Sequence, residues 1–129
     1  FFGGAPIPVD ANNGTAYGHL SAVDLATGDI RWQYRDPFPM MAGVLSTAGG
    51  LVVTGNATGE ILGFDGRTGE EVWRVQTGSG IRSHPIAYEL DGTVYLAVGS
   101  GGGGVVQQVS GNPPSVPLGS SLLVFALEG

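Results

Sequence analysis

Residues 18–32 of this chain return, 41 positions later, as residues 59–73. Gly18, Asp24, Thr27, Gly28 and Trp32 are matched by Gly59, Asp65, Thr68, Gly69 and Trp73. Five matches at one offset, taking in both tryptophans of the chain, are hard to produce by chance. A unit repeated at such a spacing cannot bury its apolar face alone and must stack on its neighbours. That restricts the chain to arrays, solenoids and propellers.

Each copy has the pattern of a hairpin. A short strand (20–24, then 61–65) meets a turn containing Thr-Gly, and a second strand (29–34, then 70–75) carries the tryptophan. The aspartate can accept hydrogen bonds from turn amides, and the glycine supplies the positive φ of the reversal. Further strands are expected at 44–47, 51–54, 81–89 around Pro85, 93–98 after Asp91-Gly92, and 120–126. No window keeps a 3.6-residue apolar period over ten positions. The 24 glycines and 8 prolines suit frequent tight turns, and the 42% hydrophobic content argues against disorder. The fold class is therefore all-β. Four short strands in about 41 residues make one blade of a β-propeller.

The 129 residues hold just over three such periods, with repeat units at about 18–58 and 59–99, a loop at 99–119 and a closing strand at 120–128. A propeller ring needs at least about four blades. Three would leave open strand edges, so the chain is expected to be the tail of a larger propeller or a subunit completing one.

Charge and composition exclude several functions. The net charge is −6, and the five basic residues form no stripe to replace phosphate counterions, so nucleic acid is not an expected partner. With no cysteine there is no disulfide, thiolate zinc site or CxxCH haem attachment. No apolar run is long enough for a membrane-spanning helix.

The residues resemble a known family. Ala22-x-Asp24-x-x-Thr27-Gly28-x-x-x-Trp32 is similar to the tryptophan-docking motif of the pyrroloquinoline quinone (PQQ)-dependent alcohol dehydrogenases, the eight-bladed quinoprotein propellers. In the second copy, Asp65, Thr68, Gly69 and Trp73 keep the motif, while Gly63 replaces the opening alanine. Segments 42–55, 76–81, 85–88 and 116–127 are similar, in order, to the family's C-terminal blades. The resemblance covers roughly residues 18–128 and implies one propeller domain of which 1–129 is a C-terminal fragment.

By that resemblance the whole protein would oxidise a primary alcohol with PQQ and a calcium or lanthanide ion. It would sit in the bacterial periplasm and pass electrons to cytochrome c or another acceptor. Its catalytic and metal-binding residues fall in segments outside this chain, so no catalytic residue, metal ligand, bound cofactor or isolated activity is expected here. Cofactor contacts would come from inner-loop positions: Met41, Ala42 and Gly43, and Gly101 and Gly102. Met41 and Gly102 fall where relatives carry aromatic rings, which implies a wider pocket and a substrate other than methanol.

Blander roles compete at each position. Trp32 and Trp73 are staples between blades, and Trp73→Ala should cost several kcal/mol, on the order of other large-to-small core changes. Asp24 and Asp65 are turn acceptors; Asp29, Glu60, Glu70 and Glu71 are solvated hairpin charges. His19 and His84 lack metal-ligand spacing, and His84, in the segment of Pro85, is the better functional histidine. Gly99–Gly104 satisfies GxGxxG, but no helix follows to receive a pyrophosphate. Two rival readings stand beside the dehydrogenase: a non-enzymatic quinoprotein-like propeller that scaffolds protein contacts, and a small chain that closes a ring with its own copies.

Overall fold

The two Thr-Gly turns fold alike because the same short-range bonds are available to each. Asp24 Oδ1 accepts from the N–H groups of Ala26 and Thr27 at 2.8 and 3.3 Å, and Asp65 Oδ1 from those of Arg67 and Thr68 at 2.8 and 3.2 Å. Thr27 and Thr68 each accept from the amide two residues on at 3.2 Å. Gly28 and Gly69 close the reversals at φ of 79° and 76°, where a Cβ would be strained. The strands on either side are thereby set in register.

The computed structural model describes residues 17–101 and 116–127, which form nine strands. They are β1 (Gly18–Val23), β2 (Ile30–Asp36), β3 (Leu45–Ser46), β4 (Leu51–Gly55), β5 (Glu60–Asp65), β6 (Glu71–Gln76), β7 (Ile86–Leu90), β8 (Thr93–Gly101) and β9 (Ser120–Leu127). All pairings are antiparallel meanders: β1-β2, then β3-β4-β5-β6, then β7-β8-β9. Among the described residues no helix is long and apolar enough to cross a membrane.

The sheets do not begin where the sequence repeats begin. The four-stranded sheet takes β3 and β4 from residues 18–58 and β5 and β6 from residues 59–99. The repeated hairpin thus ends one sheet, and the strands that follow it in the repeat begin the next. Both hairpins carry a register shift at the same place, between Ala22 and Val23 and between Gly63 and Phe64.

Two expected strands differ. Only Ile86–Leu90 of the span 81–89 pairs, because Pro85 has no N–H for a ladder and the Ile81 amide is taken by the Asn56 carbonyl at 3.0 Å. At the other site, β8 continues through residues 99–101, where a loop was expected, because β9 runs beside it as far as Gly101↔Ser120.

The core lies between the second and third sheets. Val53, Ile61, Ile81, Leu96 and Val98 are buried together, and Trp73, Phe125 and Leu127 pack on them. On the opposite face of β5, Phe64 is 1% exposed beneath Trp32 and Tyr34, with ring centroids 6.0 and 5.0 Å away. Burial of such a ring contributes roughly 2–3 kcal/mol. Trp32 also crosses to the neighbouring turn. Its Nε1 donates to the Gly66 carbonyl at 2.8 Å, and a Cβ at Gly69 would stand 2.7 Å from indole Cγ. Trp73 meets Phe125 edge-on at 5.2 Å, whereas Trp32 meets Phe64 at an interplanar angle of 30°.

Candidate functional site

A meander divides its turns between two ends. The β3–β4 and β5–β6 turns share one end, where the Gly66 amide donates to the Gly50 carbonyl at 2.7 Å. The links from β2 to β3, β4 to β5 and β6 to β7 gather at the other, where β8 ends and β9 begins. Met41, Ala42, Gly43 and Gly101 all fall at this second end, as does His84 just before β7. Gly102 lies outside the described residues.

Hydrogen bonds tie these segments together. The Gly43 amide donates to the Ser83 carbonyl at 3.2 Å, and the Gly43 carbonyl accepts from Thr54 Oγ1 at 3.1 Å. Ser83 Oγ donates to the Gly99 carbonyl at 2.8 Å and accepts from its amide at 3.0 Å. The Gly101 amide donates to the Gly80 carbonyl at 2.9 Å. Thr77 and Ser100 share a hydroxyl bond of 2.7 Å, and Ser100 also donates to the Ser79 carbonyl at 2.9 Å. The His84 imidazole lies where a side chain at 43 would stand, so glycine at 43 makes room for that ring. Met41 remains 42% exposed.

A polar network lies at the same end. Asp36, 1% exposed, accepts from the Tyr34 hydroxyl at 3.2 Å, the Phe38 amide at 3.0 Å and Asn56 Nδ2 at 3.0 Å. Asn56 also donates to Glu60 Oε2 at 2.8 Å, and Arg74 reaches that oxygen at 2.8 Å while bridging to Glu71. Burial pushes the Glu60 carboxyl up, but the hydrogen bonds from Arg74 and Asn56 outweigh it and hold it below its ordinary value. Arg74 keeps Glu71 low in the same way, while Glu71 and Glu60 push its guanidinium further up. Burial, then the charge of Asp36, raises the Tyr34 phenol. Glu60 is therefore a bridging group, not the solvated hairpin charge its sequence position suggested. Nothing in the local pattern pointed to Asp36 or Asn56; the only hint was a polar pair beside strand ends.

Asp24 and Asp65 stay at the turn end, far from convergence. Arg31 beside Asp24, and then the Ala26 amide, hold that carboxyl below its ordinary value; for Asp65 the Arg67 amide does so first. Lowered carboxyls that accept turn amides are suited to fixing backbone, not to taking a proton. Among the described residues no group of three His, Asp or Glu is placed to hold a metal ion.

A groove of about 530 Å³ opens between the second and third sheets, lined by Leu45, Thr47, Leu51, Ala87, Val94 and Leu127. It belongs to the turn end. Its lining offers hydrophobic contact and the hydroxyls of Ser46 and Thr47 but no titratable group.

Comparison with known proteins gives consistent matches. The family model described as glucose/ethanol/alcohol dehydrogenase, β-propeller domain, matches residues 9–96. A quinoprotein ethanol dehydrogenase of Pseudomonas aeruginosa is 44% identical over 114 residues, which is 85% of this chain and 18% of that protein. A 1-butanol dehydrogenase (quinone) of Thauera butanivorans is 44% identical over 93 residues, 69% of this chain and 15% of that protein. Among solved structures, a europium-containing methanol dehydrogenase superposes with a TM-score of 0.75 at 30% identity, covering 88% of this chain and 24% of its own. The chain spans less than a fifth of the length of these two sequence relatives.

Proposed function

The chain belongs to the PQQ β-propeller family of glucose, ethanol and alcohol dehydrogenases, and from that premise we propose that it is part of a dehydrogenase that oxidises a primary alcohol. The observation that carries this reading is the 44% identity to a quinoprotein ethanol dehydrogenase over 85% of the chain. In this reading the segment supplies blades and part of the cavity wall, in a protein exported to the periplasm.

The wall residues present suit one side of a flat conjugated cofactor. Met41 offers an exposed, polarizable thioether, and Gly43, whose side-chain space the His84 ring fills, adds no bulk of its own. Ala42 packs toward the core and Gly101 lies against the Gly119 carbonyl, and both are assigned to the wall, with Gly102, from the sequence. PQQ, with a calcium or lanthanide ion, would supply the oxidising power that converts RCH2OH to RCHO with release of two electrons and two protons. Met41 would pack against the cofactor face, and the bonds from Gly43 to Ser83 and Thr54 would hold the wall rigid against it. Metal ligands and the catalytic base would come from other blades, and cytochrome c or a similar carrier would take the electrons. The likeness to ethanol and butanol dehydrogenases favours this enzyme over a protein-binding scaffold.

The test is expression of the full-length protein that contains this segment, loaded with PQQ and either Ca²⁺ or a lanthanide. Dye reduction that depends on ethanol or 1-butanol and on added quinone is the expected result. A loaded, folded protein that oxidises no primary alcohol would overturn the reading.

A further inference from the structure

The sequence holds two Asp-Gly pairs, Asp65-Gly66 and Asp91-Gly92, and the structure leaves them in opposite states. At the first, both neighbouring groups are occupied. Asp65 Oδ1 accepts from the amides of Arg67 and Thr68, its other oxygen lies 3.6 Å from the Arg67 guanidinium, and the Gly66 amide donates to the Gly50 carbonyl at 2.7 Å. At the second, both groups are free. Leu90 pairs with Thr93, so Asp91 and Gly92 form a two-residue turn at φ of 51° and 78°. Both residues are exposed, and a Cβ at Gly92 would meet nothing within 4 Å. Among the described residues the Asp91 carboxyl has no hydrogen-bond or ion-pair partner, and the Gly92 amide donates to no carbonyl. Asp91 is also the one non-glycine residue described with a positive φ, so leaving this conformation relieves a disfavoured one.

The amide nitrogen that follows an aspartate can close a succinimide ring on its side chain. The Gly92 nitrogen attacks Cγ of Asp91 in its acid form; a C–N bond forms, a carboxyl C–O bond breaks, and the hydroxyl leaves with the amide proton as water. Water then opens the ring at either carbonyl. Opening at Cγ restores aspartate, and opening at the main-chain carbon leaves isoaspartate, with the chain running through Cβ and Cγ. No electrons are transferred, and water is the sole co-reactant. Glycine favours the closure because no Cβ crowds its nitrogen and its backbone turns freely.

We propose that Asp91 is a site of spontaneous isoaspartate formation in the folded protein, from which Asp65 is protected by its turn. The product places an extra main-chain carbon between Leu90 and Thr93, which a two-residue turn with two positive φ values does not accommodate. β7 is an edge strand of its sheet, so conversion loosens it from β8 beginning at the turn. None of this depends on the dehydrogenase reading.

The test incubates the folded full-length protein that contains this segment at neutral pH in H2¹⁸O. Its peptides are then scored for ¹⁸O uptake and, by electron-transfer fragmentation, for isoaspartate. Conversion at Asp91 exceeds that at Asp65 by about tenfold or more, since each hydrogen bond that Asp65 and Gly66 must give up slows their ring closure. In urea the two pairs convert at similar rates. Asp91→Gly, which keeps a residue suited to the turn, abolishes the signal there. In converted protein the amides of the β7–β8 ladder exchange faster with deuterium. Equal conversion of the two pairs in the folded protein, or conversion at Asp91 only after unfolding, overturns the proposal. Unchanged exchange after conversion overturns the loosening of β7.

Discussion

The two ends of the sheets are built by different means. At the turn end, Asp24 and Asp65 bond amides two and three residues away, and the same set of contacts occurs twice. At the connection end, Asn56 reaches Asp36 across 20 residues, Ser83 reaches Gly99 across 16, and Thr77 reaches Ser100 across 23. Among the described residues none of these bonds repeats in the next sheet. A repeated sequence therefore specifies the scaffold at one end, while unrepeated long-range contacts shape the end proposed to face the cofactor.

Trp32 joins the two copies of the turn end, so Trp32→Ala is expected to have the largest effect. It removes an indole over Gly69, a bond to the Gly66 carbonyl and the contact with Phe64, at about 3–5 kcal/mol. Urea denaturation should show it; a midpoint unchanged from the original would mean that the turn end stands without the tryptophan. Trp73→Ala should also cost several kcal/mol through Phe125.

Asn56→Ala probes the connection end. It strips a bond from buried Asp36 and two from Glu60, and should cost about 2–3 kcal/mol. Thermal unfolding would measure it, and the loss should shrink by about 1 kcal/mol, the share of the Asp36 bond, if Asp36 is first changed to Ser. An equal loss in both backgrounds would show that the network is not cooperative.

The smallest effect is that of pH. The carboxyls of Glu60, Glu71, Asp24 and Asp65 are all lowered on folding. Their stabilisation is complete above the unfolded carboxylate range, about pH 4–4.5, and is lost as pH falls through the lower folded values. The melting temperature should hold from pH 7 to about 5 and decline below about 4. Arg74→Gln should flatten that decline by releasing Glu60 and Glu71, whereas Arg31→Gln, at an exposed pair with Asp24, should change it little.

Legibility followed the same division. The hairpins, their aspartate turns and the positive-φ glycines were readable because each depends on residues within a few positions. The ends of β7 and β8 were not. Pro85 and the capture of the Ile81 amide by Asn56 shortened one strand, and the partner β9, which pairs Ser120 with Gly101, lengthened the other. Met41, Ala42, Gly43 and Gly101 are proposed wall positions by resemblance alone, and the resemblance gave no reason for glycine at 43. It is the ring of His84, 41 residues distant in sequence.

By itself the sequence determined an all-β chain of repeated hairpins, because the strand period, the Asp-Thr-Gly turn and the spacing of the tryptophans are local or periodic signals. The tertiary structure decided which sheet each hairpin joins, what each tryptophan covers and how Gly43, Ser83, His84 and Gly99 meet. Those are outcomes of packing among residues far apart in the chain. A burial or hydrogen bond of that kind exists only once the sheets are side by side.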